Sequence, residues 1–220
     1  MIVENNSGLE TTRNGRILLA PGRSLRFARM ADPARRRATC EDLLDVPSHW
    51  VAEIIQGTLH VHPRPAGPQA AAATALGEEL GPPFKRGRGG PGGWILLYEP
   101  EIHLADDVLV PDLAGWRRQR MPSIPNAPYF TMAPDWVCEV LSKKTAKTDR
   151  TDKLPIYLEH RVAHAWLVDP ILRTLEVLRL EGGRGSIVGT HRDDAKVRAE
   201  PFDAIELDLA VLWADVVLEE

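Results

Sequence analysis

The side chains able to do chemistry in this sequence are acids placed where the local pattern calls for apolar residues. Asp112 interrupts the run Val108–Trp116, and Glu139 interrupts the run Trp136–Leu141. Burying a carboxylate among such neighbours costs several kcal/mol unless a cation or hydrogen-bond donors compensate it, so two of them at adjacent strand ends point to a shared metal ion. Mg²⁺ suits such a site, because a hard octahedral ion is satisfied by two carboxylates, a backbone carbonyl and several waters, and Mn²⁺ would serve in its place. The carbonyl of Val140 or of Leu141 is the candidate third ligand. Lys153 follows Glu139 by fourteen residues, at the front of the next helix. From there its ammonium can point back over the strand end, to stabilise charge on a scissile phosphate or to orient the attacking water. Either acid alone reads more simply as a solvent-facing or ion-paired residue, and Lys153 alone as a solvated helix lysine like Lys143, Lys144 and Lys147. Asp149, four residues before Lys153, fits an ordinary helix ion pair. The set of two acids and an amine is what shifts the reading to catalysis.

The elements that must position these residues follow from pattern. Thr39 is an N-cap for a short helix over Glu41–Asp45, which Pro47 ends. Trp50–Ile55 and Thr58–His62 read as a β-hairpin turning at Gln56-Gly57. The Ala-rich stretch Gln69–Leu80, with Leu76 and Leu80 at helical spacing, predicts a helix stopped by Gly81-Pro82-Pro83. After a Gly/Arg/Pro loop over 85–93, Trp94–Tyr98, Glu101–Leu104 and Val108–Val110 predict strands at the centre of the sheet, and Leu113–Trp116 continues beyond Pro111. A proline-rich loop covers 121–135. Trp136–Leu141 has the near-continuous apolar character of a buried central strand. Thr145–His160 is helical in composition, with Pro155 expected to kink it or split off its first turn. Ala163–Val168 and Thr174–Leu180 form a second hairpin around Asp169-Pro170, followed by β structure near Ser186–Thr190 and a terminal piece over Leu207–Trp213. The expected fold is α/β, a mixed β-sheet flanked by helices with additional β-hairpins.

Composition sets the bounds. At 220 residues, 44% hydrophobic and 26% charged, the chain has the make-up of an ordinary globular protein with one sizeable core. No apolar run approaches the roughly 20 residues of a membrane helix and the N-terminus lacks a signal-peptide core, so a cytoplasmic location is expected. Cys40 and Cys138 stand alone, which supports neither a disulfide framework nor a cysteine zinc site. The net charge of -4 is not the footprint of a protein that coats nucleic acid indiscriminately. Residues 13–37 carry eight Arg against one acid, Asp32. A flexible arm touching phosphates would look like this, but an upstream extension over 1–29, with a single domain over 30–220, is the preferred division.

Taken together, Pro111-Asp112, Glu139-Val140-Leu141-Ser142, Asp149-Arg150 with Lys153 and Tyr157, and Ala165-Trp166-Leu167-Val168-Asp169-Pro170 resemble the Uma family of restriction-endonuclease-like proteins, a branch of the PD-(D/E)XK nucleases. Glu53-Ile54-Ile55-Gln56-Gly57, Pro63-Arg64-Pro65 and Pro91-Gly92-Gly93-Trp94 join the resemblance, which covers nearly all of Met30–Trp213. It implies a restriction-endonuclease-like fold, a bacterial setting and Mg²⁺-dependent endonuclease hydrolysis of nucleic acid, DNA before RNA. Asp112 and Glu139 would be the metal ligands, with Glu53 an acid contributed from the N-terminal part of the site. A homodimer would suit cleavage of two strands. The sequence departs from the pattern in four places, one of them Arg161, which stands where relatives have Gly before Val162. Leu141 stands where the wider superfamily keeps its lysine, which makes Lys153 the displaced replacement. Gln69 stands where relatives show His after Pro-Arg-Pro, and Ser142-Lys143-Lys144-Thr145 replaces Ser-Pro-Ser-Thr, adding positive charge that would hold a phosphate backbone or be plain solvated surface.

Other signals are weaker. His60 and His62 share a strand face and would hold zinc only with a third ligand that the sequence does not place nearby. The Gly-rich stretch 87–93 lacks the Gly-Lys-Ser/Thr ending of a phosphate loop. Trp94, Trp116, Trp136, Trp166 and Trp213 lie in β-rich segments and are expected in the core. Two other function classes remain open: a catalytically inactive nuclease fold serving as a binding or assembly module, favoured by the acidic charge and the displaced lysine, and a glycosidase using Asp112 and Glu139 as paired carboxylates, disfavoured by the neighbouring lysines.

Overall fold

The computed structural model describes residues 36–65 and 67–217, together with the backbone of a short antiparallel pair, β1 (Glu10–Thr11) and β2 (Ile17–Leu18). The chain divides into two units, Met1–Arg36 and Arg37–Glu220; the architecture below is that of the second. The expected division between 1–29 and 30–220, and all of the Arg-rich stretch except Arg36 and Arg37, lie outside the described residues.

Helix α1 (Cys40–Leu44) opens where expected, with the Thr39 N–H donating to the Asp42 carboxylate at 2.7 Å. Strands β3 (Trp50–Ile55) and β4 (Thr58–Pro63) pair in an antiparallel register that runs from Trp50↔Pro63 to Ile55↔Thr58. Gln56 and Gly57 both take positive φ, 51° and 76°, as a two-residue hairpin turn requires. Helix α2 (Gly67–Leu80) buries Ala72, Ala73, Leu76 and Leu80. It does not stop at Gly81-Pro82-Pro83. A π turn over Gly81–Lys85 carries it on, its wider ring closed by the Arg86 N–H on the Gly81 carbonyl, so that the two prolines, which have no N–H, interrupt nothing and Phe84 is buried.

The main sheet has six strands: β5 (Trp94–Tyr98), β8 (Leu113–Arg117), β9 (Trp136–Val140), β10 (His164–Asp169), β11 (Thr174–Glu181) and β12 (Arg184–Arg192), in the order β12-β11-β10-β9-β8-β5. Only β9 and β10 are parallel; every other neighbouring pair is antiparallel. Parallel neighbours need a crossover connection, and the helical segment between them supplies it: α3 (Ala146–Thr148), a π turn over Asp149–Lys153, and α4 (Leu154–Glu159). Pro155 falls in the first turn of α4, where its missing N–H is tolerated, and the π turn before it is the interruption anticipated from the sequence. A small four-stranded sheet, β4-β3-β7-β6, is completed by the hairpin β6 (Ile102–Leu104) and β7 (Asp107–Leu109).

One expectation is corrected here. The strands around 94–110 do not form the centre of the main sheet: β5 is its edge, and β6 and β7 leave it for the small sheet. Positive φ at Glu99 (41°) and Ala105 (54°) turns the chain twice within seven residues, which strand pattern alone does not reveal. The centre is β9 with β10, and all five residues of β9 are buried.

Strand alternation then sorts the core. Trp136, Cys138 and Val140 face α2 together with Trp94, Trp166 and Phe202. Val137 and Leu141 face the opposite way, toward Ile156 and Tyr157 of α4 and toward Ile55, Ile102 and Leu109 of the small sheet. Glu139 shares that second face. Gly115 lies between the indoles of Trp94 and Trp136, where an added Cβ would sit 2.9 Å from Leu96 and 3.2 Å from each ring. The five tryptophans assigned to the core from sequence are all buried. No helix among the described residues is long and apolar enough to cross a membrane.

Candidate functional site

The floor of the site forms where β7, β8 and β9 end beside one another. Between β7 and β8 the chain passes from the small sheet to the main one through Val110-Pro111-Asp112. Pro111 offers no N–H, so no ladder bond holds this crossing. The Asp112 carbonyl instead accepts from Glu99 N–H at 3.0 Å, and its carboxylate accepts the Val140 N–H at 2.7 Å. The β8–β9 ladder runs Gly115↔Trp136, Ala114↔Val137, Leu113↔Cys138 and stops; the Asp112 side chain takes up the next β9 donor. A residue in a strand sends its N–H and C=O to the same edge, so the Val140 carbonyl also looks toward Asp112. The Leu141 carbonyl, the other sequence candidate for a ligand, accepts from the Gln69 side chain at 3.2 Å.

Glu139 is 2% exposed. Its Oε1 accepts from Tyr157 Oη at 2.6 Å and its Oε2 from Lys153 Nζ at 3.3 Å. Asp149, Lys153 and Tyr157 recur every four residues and so share the helix face turned to the sheet. Lys153 is 3% exposed and lies 2.9 Å from Glu53 and 3.4 Å from Asp149. Glu53, on β3, also accepts the Val110 N–H at 2.8 Å, and its other oxygen faces His62 Nε2 at 3.4 Å. The structure thus brings Glu53, Asp112, Glu139, Val140 and Lys153 into one place from β3, the β7–β8 crossing, β9 and the helical crossover. All five line or adjoin a cleft of about 380 Å³.

The charges do not balance. Glu53, Asp112, Glu139 and Asp149 bring four carboxylates to one buried ammonium, Lys153, with His62 at the edge. Burial pushes Asp112 up to about 6 against the pull of the Val140 N–H, and burial pushes Glu139 well above the usual carboxylate range despite Lys153. Burial likewise raises Asp149. Glu53 goes the other way: burial acts to raise it, but Lys153, His62 and the Val110 N–H outweigh burial and hold it low. Burial acts to neutralise Lys153, yet Glu139, Glu53 and Asp149 together keep its ammonium charged far up the scale. The Glu53 contact raises His62. Glu53 and Lys153 therefore form the matched pair, and Asp112, Glu139 and Asp149 are left short of positive charge.

Sequence reasoning missed part of this site. Asp149 makes the i, i+4 ion pair expected with Lys153, at 3.4 Å, but as a buried member of the site, and period four from Lys153 was the available signal. Tyr157 holds Glu139, and His62 pairs with Glu53 instead of joining His60 in a zinc site. Among the described residues no three His, Cys, Asp or Glu side chains converge so as to hold an ion on their own. A Mg²⁺ ion does not need them to: it keeps several waters and takes only one or two carboxylates. Asp112, Glu139 and the Val140 carbonyl fit that description.

Comparison with known proteins bears on the family and the fold. The Uma2 family, described as "Putative restriction endonuclease", matches residues 40–211. The chain is also similar to the crystal structure of "a putative nuclease belonging to DUF820" from Anabaena variabilis ATCC 29413, with 25% identity and a TM-score of 0.66, over 80% of this chain and 98% of that one. No curated protein gives a significant match.

Proposed function

Since the chain belongs to the Uma2 family, described as "Putative restriction endonuclease", we propose that it is a Mg²⁺-dependent endonuclease hydrolysing phosphodiester bonds in nucleic acid, DNA before RNA. The observation that carries this reading is the carboxylate excess. Asp112, Glu139 and Asp149, the last two buried, surround one already committed ammonium, a deficit of positive charge that a divalent cation would make good. Asp112, Glu139 and the Val140 carbonyl would hold it. The bound metal would lower the pKa of a coordinated water and shield the phosphate charge.

The protein's own groups have separable tasks. Tyr157 fixes one oxygen of Glu139 by donating to it, and leaves the other toward Lys153 and the cleft. Lys153 is held in place by Glu53 and Asp149, so that its charge stays fixed beside Glu139 rather than swinging on a flexible stem. Glu53 acts through Lys153 and is a positioning residue. The Val110 N–H and His62 orient it in turn. Gln69 anchors the Leu141 carbonyl, steadying the end of β9 on which Glu139 stands.

The test is cleavage of plasmid and oligonucleotide DNA in Mg²⁺ or Mn²⁺ by the intact protein and by Glu139→Ala. Loss of cleavage in the variant, together with calorimetric Mg²⁺ binding that disappears in Asp112→Asn, is the expected result. Cleavage at the wild-type rate by Glu139→Ala would defeat the reading. A protein with the intact site that binds no divalent metal would be a nuclease fold serving as a binding or assembly module.

A further inference from the structure

The cleft does not end at the carboxylates. A second cavity of about 230 Å³ adjoins it, and Val51, Arg64, Glu99 and Val110 line both. The α1–β3 connection and the first residue of β3, Trp50, line it; Trp50 is 39% exposed, while the chain's other five tryptophans are buried in the core. An indole left open inside a concavity, in a protein that buries every other one, is a surface kept for a planar apolar partner. Ser142–Thr145 wall the first cleft and do not reach the second cavity. Lys143 and Lys144 are exposed there and have no ion-pair partner among the described residues. The Ser142 hydroxyl accepts the N–H groups of Lys144 and Thr145 at 3.3 and 3.1 Å, which fixes the loop that carries them. Arg64, ion-paired with Glu99, stands where the two cavities meet.

The two adjoining cavities together hold two lysines without ion-pair partners among the described residues, the carboxylate floor, the Arg64–Glu99 pair, Glu101 and a half-open indole. Exposed lysines at the cleft and an aromatic platform in the cavity beside it are two features that single-stranded nucleic acid uses: phosphates are drawn by charge, and a base stacks wherever it is unpaired. A duplex keeps its base faces inside and has nothing to offer Trp50. Resting on the nuclease reading above, we propose that the substrate engages as a single strand, with phosphates on Lys143 and Lys144 in the first cleft, a phosphate on Arg64 where the two cavities meet, and an unpaired base stacked on Trp50.

The experiment measures binding of a fluorescein-labelled DNA oligonucleotide, single-stranded and as the duplex of the same sequence, by anisotropy across a salt series, with the intact chain carrying Asp112→Asn to prevent turnover. The single strand is expected to bind at least tenfold tighter than the duplex. Adding Trp50→Ala weakens single-strand binding about 10- to 100-fold without changing its salt dependence, and Trp50→Phe restores most of it. Adding Lys143→Ser with Lys144→Ser lowers the slope of log affinity against log salt by about 1.4, at about 0.7 per phosphate contact on a single strand. Duplex bound as tightly as single strand, wild-type affinity in Trp50→Ala, or an unchanged slope in the lysine variant would each overturn the proposal. A protein that binds single strands in this way but never cleaves them refutes the nuclease reading and leaves the single-strand proposal standing. One that cuts duplex through Glu139 with no contribution from Trp50 does the reverse.

Discussion

Replacing Asp112 by Asn should make the protein more stable while abolishing the proposed metal binding. The carboxyl sits at about 6 in the fold against an ordinary 3.8. At about 1.4 kcal/mol per pKa unit, keeping it ionised costs the fold about 3 kcal/mol before screening. Asp112 is partly open to the cleft, and solvent reduces the cost to about 1–2 kcal/mol. Because the folded protein holds this proton more tightly than the unfolded chain, stability declines as pH rises from about 3.8 to about 6, and the full penalty applies above that. Asn carries no charge and its side-chain oxygen can still accept the Val140 N–H. In EDTA at pH 8 the variant should therefore melt roughly 2–8 °C higher, at about 2–4 °C per kcal/mol for a chain of this size. At pH 3.5 the two proteins should melt together. Adding Mg²⁺ should raise the melting temperature of the wild type and leave the variant unmoved, since only binding to the folded state stabilises. A variant that melts below wild type at pH 8 without metal, or a difference that persists at pH 3.5, would refute the argument that Asp112 is held there at electrostatic cost.

Other variants probe the same balance. Lys153→Met leaves Glu53, Glu139 and Asp149 without their shared cation and should cost about 3–5 kcal/mol near pH 7 by urea unfolding, with the loss shrinking as pH falls and Glu139 and Asp149, already raised by burial, take up protons. Tyr157→Phe removes the donor to Glu139 Oε1 and should destabilise by about 1–3 kcal/mol while lowering cleavage through a misplaced carboxylate. Gly115→Ala puts a methyl against Leu96, Trp94 and Trp136, and overpacking should cost about 1–3 kcal/mol, read as a lower melting temperature.

Much of the fold was legible because its patterns are local. The Gln56-Gly57 hairpin, the apolar strand over 136–140 and the helix over 67–80 each announce themselves within a dozen residues, and each forms. What did not show was which strands join which sheet. Trp94–Tyr98 and Asp107–Leu109 look alike in composition, yet the first edges the main sheet and the second joins the small one. That outcome is decided by two turns at Glu99 and Ala105 and by the partners each strand meets in space. The site shows the same division. Asp112 and Glu139 stood out as acids in apolar surroundings, whereas Asp149 and His62 lie in polar sequence and become buried or paired only through folding.

The displaced lysine shows why spatial position rather than sequence position is what the chemistry constrains. The residue two after Glu139 is Leu141, 2% exposed and packed in the core against α4. Residues two apart in a strand share a face, so a lysine there would start on the same side as Glu139 and reach toward the same floor. The crossover helix turns Asp149, Lys153 and Tyr157 to that floor as well, and Lys153 arrives 3.3 Å from Glu139 and 2.9 Å from Glu53. With the amine supplied from the helix, position 141 is free to be apolar and to close the core beneath α4. Supplying the charge from a helical segment that also brings Tyr157 ties both oxygens of Glu139 to one crossover, so the Glu139 carboxylate and the closing of the sheet face are fixed by the same element.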